Sequence, residues 1–221
     1  MWHRVAVHVA VPAYFGPWER AHWAQLLANR SRVVVINPDT GPGSRVHSGY
    51  RSLISQMLRG GTTVLGYVPT TFGQRPIDEC RADADRYLAS YGTSGVFFDE
   101  INVELSSLRR VSSLAHGFEH VGFNPGRKVP EEFRQALSSA MWVTFEGTAR
   151  QYLDRAGELA ATAPHPRDCH LVHSIPSSLR VRVERTLKRH QPGFAYLTAD
   201  RMPNPWDVFD SGNDFHGDMC P

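Results

Sequence analysis

Cysteine is scarce in this sequence, and no stretch of about 18 consecutive apolar residues occurs anywhere, so neither a disulfide framework nor a membrane-crossing helix is expected. The three cysteines, Cys80, Cys169 and Cys220, are odd in number and have no paired spacing. That also removes the usual pattern of a structural zinc site. Neither sign of charge dominates: 24 basic residues against 22 acidic ones leave +2 over 221 residues. The charges are interspersed, which speaks against a nucleic-acid surface. The most basic stretch, from Arg180 to His190, carries Val181, Val183 and Leu187 and reads as an amphipathic helix with one wet face. The opening Met1-Trp2-His3-Arg4-Val5 has no secretory leader pattern and runs straight into strand-like sequence. A cytoplasmic location is therefore expected unless the chain has been trimmed.

What is present is a rhythm. Short apolar runs alternate with segments of helical spacing. The runs are Val5 to Val11, Arg32 to Ile36, Thr63 to Val68, Gly95 to Phe98, Glu119 to Phe123, Met141 to Phe145, Cys169 to Ser174 and Gly193 to Thr198. Arg-Val-Val-Val-Ile at 32–36 is nearly all apolar, as strands buried on both faces of a parallel sheet are. Between the runs, Tyr50, Leu53, Ile54, Met57 and Leu58 repeat at helical intervals, as do residues from Ile77 to Tyr91 and from Tyr152 to Ala160. Eight strands separated by helices, in a length suited to one core, predict a closed (β/α)8 barrel over residues 1–206. No regular eighth helix is expected, and 207–221 reads as an irregular polar tail. An open doubly wound sheet is the rival, but no Gly-rich phosphate loop follows the first strand.

In such barrels the chemistry sits at the C-terminal ends of the strands. Those ends carry Tyr14, Asn37, Asp39, Tyr67, Asp99, Glu100, Asn124, Glu146, His173 and Asp200. There is no nucleophile elbow and no paired-histidine metal motif. Phe97-Phe98-Asp99-Glu100 and Phe145-Glu146 each run from a buried strand directly into acid. A carboxylate placed there costs desolvation unless it is partnered. Acids converging on one mouth would push their pKa values apart, separating a proton donor from an ionised partner, as glycoside hydrolysis requires. The blander readings are that Glu146 caps the next helix, and that Asn37 to Gly43 and Asn124-Pro125-Gly126 are turns. Asp99 and Glu100 cannot both point inward while the strand stays regular. His165, His170 and His173 resemble a metal cluster in sequence, but residues three apart on a strand face opposite sides, and no metal is expected. Tyr14, Tyr67, Phe72 and Trp206 could stack on sugar faces.

Taken in series, Val11-Pro12-Ala13-Tyr14-Phe15, Asn37-Pro38-Asp39-Thr40-Gly41-Pro42-Gly43, Gly66-Tyr67-Val68-Pro69-Thr70 with Arg75, Gly95-Val96-Phe97-Phe98-Asp99-Glu100, Asn124-Pro125-Gly126 and Phe145-Glu146 resemble the spherulin-4-like family of glycoside hydrolases. His173-Ser174 and Tyr196-Leu197-Thr198 also fit. The resemblance implies a (β/α)8 fold and endo-acting hydrolysis of α-1,4-linked galactosamine or N-acetylgalactosamine polysaccharide, including exopolysaccharide. It places the essential acids at Asp99, Glu100 and Glu146. On that basis Asp99 is assigned as nucleophile or base, Glu146 as general acid and Glu100 as a supporting acid. Tyr14, Asn37, Asp39, Tyr67, Asn124, His173 and Asp200 are assigned to substrate binding. No cofactor is expected, the partner is a polysaccharide or oligosaccharide, and the chain is expected to be a monomer that binds neither nucleic acid nor membrane. The alternative is a catalytically silent sugar-binding or developmental structural protein on the same barrel.

Overall fold

The computed structural model describes residues 6–29, 31–213 and 215. Within them, eight parallel strands close into one barrel in sequence order. The strands are β1 (His8–Ala13), β2 (Val33–Ile36), β3 (Thr63–Pro69), β4 (Gly95–Asp99), β5 (His120–Asn124), β6 (Met141–Thr148), β7 (Asp168–His173) and β8 (Phe194–Leu197). The outer layer holds α1 (Arg20–Ala28), α2 (Ser48–Arg59), α3 (Ile77–Arg86), α4 (Leu108–Ala115), α5 (Glu131–Ala136), α6 (Ala149–Asp154), α7 (Ala156–Ala160) and α8 (Ser177–His190). No helix among the described residues is long and apolar enough to cross a membrane.

All eight expected strands form, with shifted ends. The expected β1 start, Val5, lies outside the described residues, as do Cys220 and most of the end of the tail. β1 instead runs on through Pro12 to Ala13. Proline lacks a ladder donor, but β8 pairs with β1 only at His8 and Val9, so the missing N–H costs no bond on that side. The expected sixth helix is two, α6 and α7, which meet at Arg155. On α8, Val183 and Leu187 are buried but Val181 is 63% exposed. Positions two apart on a helix do not share a face, so Val181 falls on the wet side.

Each strand sends alternate side chains into the barrel and against the helices. On the outer face, Phe98 of β4 stacks on Phe123 of β5 at 5.7 Å, and Phe123 stacks on Trp142 of β6 at 4.7 Å. Phe133 of α5 closes this stack edge-on. Burial of these rings and their offset packing staples β4, β5 and β6 together just below their C-terminal ends. The inner face is tight. Gly122 faces the ring of Phe97, and a Cβ on Gly95 would come 1.9 Å from the carbonyl oxygen of His120.

After β8 no helix forms in the described chain, yet the segment is anchored. Phe209 is buried, and Asn213 accepts from the Leu197 N–H at 2.7 Å and donates to the Leu197 carbonyl at 2.9 Å. The N–H of Tyr14 donates to the Trp206 carbonyl at 3.0 Å. These bonds fill the gap where β1 and β8 diverge. Gly95→Ala should lower stability by at least about 1–3 kcal/mol, since backbone rather than a movable side chain stands in the way. Thermal denaturation checks this, and an unchanged midpoint would contradict the tight packing described here.

Candidate active site

Asp99, Asn124 and Glu146 come from three consecutive strands and meet inside the barrel mouth. Asp99 and Asn124 are register partners on β4 and β5, so their side chains share the inner face. Asn124 Nδ2 donates to Glu146 Oε2 at 2.5 Å, and the same amide also favours the ionised form of Asp99. Its orientation is fixed from the other end, because Asn124 Oδ1 accepts the Gly126 N–H at 2.9 Å. Gly126 has φ +63°, a conformation natural to glycine. Asn124-Pro125-Gly126 is thus a turn, and the turn aims the amide.

Glu146 reaches this point through an irregularity. Trp142 faces outward and Val143 inward, so regular alternation would turn Glu146 outward. The β6–β7 register shifts between Val143 and Phe145, so one extra residue is inserted in β6. Phe145 then packs outward on Tyr152 of α6, and Glu146 turns inward. The capping reading of Glu146 is corrected here. β6 continues to Thr148, whose hydroxyl accepts the Gln151 N–H while Gln151 returns a bond to the Thr148 N–H. Thr148 caps α6.

Asp99 and Glu100 do not compete for one face, because the strand ends between them. Glu100 has φ +55°, a left-handed conformation that costs a non-glycine residue about 1–2 kcal/mol. The Glu100 N–H favours the ionised form of the Asp99 carboxylate. The Glu100 carbonyl accepts from the Phe72 N–H and the Thr70 hydroxyl, both at 2.8 Å.

Burial sets the protonation of the pair. Glu146 is pushed up to about 7, first by desolvation and then by the nearby Asp99 charge, against the pull of its bonds from Asn124 and Trp206. Desolvation also raises Asp99, but the Glu100 N–H, the Tyr67 hydroxyl and the Asn124 amide favour its ionised form. The arrangement therefore holds one carboxyl that keeps its proton near neutrality beside one supplied with donors for its charge. Among the described residues, no ion pair reaches Asp99, Glu100 or Glu146.

The other expected residues divide. Tyr67 donates to Asp99, and Tyr14 packs edge-on against Tyr67 at 5.3 Å; both hydroxyls are shifted upward, first by burial. His173 lies at the mouth, its Nδ1 3.0 Å from the Ser174 hydroxyl and its ring 5.8 Å from that of Trp206. Asn37 spends its side-chain oxygen on the Gly41 N–H at 2.9 Å, and Asp39 stands exposed on the same turn. Both shape the loop after β2; neither bonds to the carboxylate pair. Asp200 accepts the Arg201 N–H at 2.8 Å and abuts the carboxyl of Asp207. His170 points to the outer layer, bonded to Tyr152 at 2.9 Å, so it shares no site with His173.

Trp206 is the contributor that periodicity could not place. It is only 5% exposed, so it offers no open platform, and its indole N–H bonds to Glu146 instead. It lies beyond β8, where neither strand nor helix spacing applies. A small hollow of about 40 Å³ lies elsewhere, between α5, α7 and α8, and its acids Asp168 and Glu158 are already paired with Arg134 and Arg155.

Comparison with known proteins gives the same direction. The model of the family described as spherulation-specific family 4 matches residues 8–215. Spherulin-4 of Physarum polycephalum is 28% identical over 171 residues, covering 72% of this chain and 50% of the relative. The chain thus spans about half the length of that curated relative. Among solved structures, Aspergillus clavatus Sph3, in complex with GalNAc, superposes with a TM-score of 0.73 at 24% identity, covering 92% of this chain and 93% of that one. A β-mannanase of Thermomonospora fusca, in complex with mannohexaose, superposes with a TM-score of 0.52 at 13% identity, covering 96% and 89%. These structural likenesses establish the barrel.

Two substitutions should move the Glu146 titration in opposite directions. Asp99→Asn removes a repelling charge and should lower it from about 7, though not to an ordinary glutamate value, because burial is the larger cause. Asn124→Ala removes a donor to the ionised form and should raise it. Carboxyl-carbon NMR titration reads both, and shifts of the same sign would contradict the assigned contacts.

Proposed function

The chain belongs to spherulation-specific family 4, and from that premise we propose that it is a glycoside hydrolase acting within α-1,4-linked galactosamine or N-acetylgalactosamine polysaccharide. The observation that carries the reading is the meeting of Asp99, Asn124 and Glu146 on the inner face at three neighbouring strand ends, with the Asn124 amide donating to Glu146. The GalNAc in the Aspergillus clavatus structure and the mannohexaose in the mannanase structure support a sugar at the mouth of this barrel.

In this reading Glu146 delivers its proton to the glycosidic oxygen while the Asp99 carboxylate acts at the anomeric carbon. Direct attack by Asp99 forms a covalent glycosyl–enzyme as the leaving oxygen takes the proton. Water then cleaves the glycosyl bond while ionised Glu146 takes its proton. Glu100 acts through Asp99, placing its own N–H on that carboxylate. Tyr14, Tyr67, Asn124 and His173 surround the sugar.

The test is α-1,4-galactosamine polymer incubated with wild type, Asp99→Asn and Glu146→Gln. Wild type should cleave, and each variant should lose about 10³-fold or more. Binding without cleavage by all three proteins would favour the silent sugar-binding alternative. Because Glu146 acts protonated, kcat/KM should fall as pH rises through about 7; because Asp99 acts ionised, it should fall again on the acid side. The first-formed anomer should retain configuration, checked by NMR during hydrolysis, and inversion would rule out the covalent route.

A further inference from the structure

Phe72 is the exposed aromatic of the four at or near the mouth. Tyr14, Tyr67 and Trp206 are spent inside the site, whereas Phe72 is 60% exposed. Exposing a phenylalanine forfeits burial, so its position calls for a reason. It is also held there at some conformational cost. Thr71, Phe72 and Gly73 have φ values of 50°, 51° and 89°, three consecutive left-handed residues. The Phe72 N–H is bonded to the Glu100 carbonyl, and the Thr70 N–H donates to the Asp99 carbonyl at 3.0 Å. The ring is therefore carried on a loop fastened to the backbone of the two acids.

Beside the ring runs a cavity of about 230 Å³, lined among others by Thr70, Phe72, Ile101, Asn102 and Arg110. It begins one residue past Glu100, so it is continuous in sequence with the acidic mouth on both of its loops. The one charged residue in its lining is a cation, Arg110, where the mouth is anionic. Arg110 hydrogen-bonds the Arg75 carbonyl, and no acid among the described residues forms an ion pair with it.

We propose that Phe72 and this cavity form a flanking subsite in which the ring carries the apolar face of an uncharged hexopyranose of the bound polysaccharide. Arg110 disfavours a protonated amine there, so an N-acetylated or neutral unit is the one accepted. The inference rests on the hydrolase reading above and names the substrate class for the stretch beyond the scissile unit.

The experiment compares wild type, Phe72→Ala and Phe72→Trp on α-1,4-linked N-acetylgalactosamine hexamer, its fully deacetylated form and free GalNAc, by kinetics and by calorimetric binding. Phe72→Ala should lower kcat/KM on the acetylated hexamer about tenfold, mainly through KM, as loss of one ring contact implies. Phe72→Trp should restore it, and free GalNAc binding should be unchanged. The deacetylated hexamer should be little affected; an equal loss on it would overturn the uncharged-unit assignment. Cleavage that is indifferent to Phe72→Ala sinks the subsite and leaves the hydrolase. Binding without cleavage that weakens in Phe72→Ala keeps the subsite and sinks the hydrolase. Absence of both binding and cleavage removes the two together.

Discussion

The side-chain amide of Asn124 holds one carboxyl, that of Glu146, and favours the charge of another, that of Asp99, and much of the mouth is arranged to keep it there. Two acids side by side in a desolvated basin repel when both are ionised, and each alone resists ionisation. The amide favours both charges without the full neutralisation an ion pair would bring, and no basic side chain among the described residues pairs with either acid. The scaffold beneath matches this demand. Phe98 and Phe123 each precede a member of the trio by one residue, and with Trp142 they form the outer aromatic stack. Hydrophobic burial outside the sheet thus sets the spacing of polar groups inside it.

The aiming, in contrast, is done by departures from regular structure. An extra residue in β6 turns Glu146 from the helix layer to the basin. A left-handed residue, Glu100, follows the end of β4 and turns its carbonyl to the Thr70 hydroxyl and the Phe72 N–H. Both features cost local stability, and both occur within a residue or two of the acids they serve, where strained backbone commonly gathers.

This divides what the amino-acid sequence reveals from what it hides. The strands are legible because their apolar runs are dense and regularly spaced, and Asp99 and Glu146 are legible because a charge directly after such a run is energetically conspicuous. Asn124 is legible only as a turn residue; that its amide serves both acids depends on register between β4 and β5, which no local pattern encodes. The inserted residue in β6 is invisible, since Met-Trp-Val-Thr-Phe-Glu alternates no differently from a regular strand. The same limit applies to Asn37 and Asp39, whose residue types suit sugar binding; Asn37 bonds its own loop and Asp39 stands exposed on it. It explains Val181 as well, apolar by type and wet by position.

The segment after β8 alters where the functional unit ends. Counted by strands, the architecture is complete at Leu197. Counted by chemistry it is not, because the indole that donates to Glu146 comes from Trp206, and Asn213 ties that segment to β8. A transplant of the eight βα units alone would carry over every acid yet leave one of them with a different electrostatic environment. For circular permutation or chimera building, the natural seam therefore lies beyond Asn213 and not at the last strand.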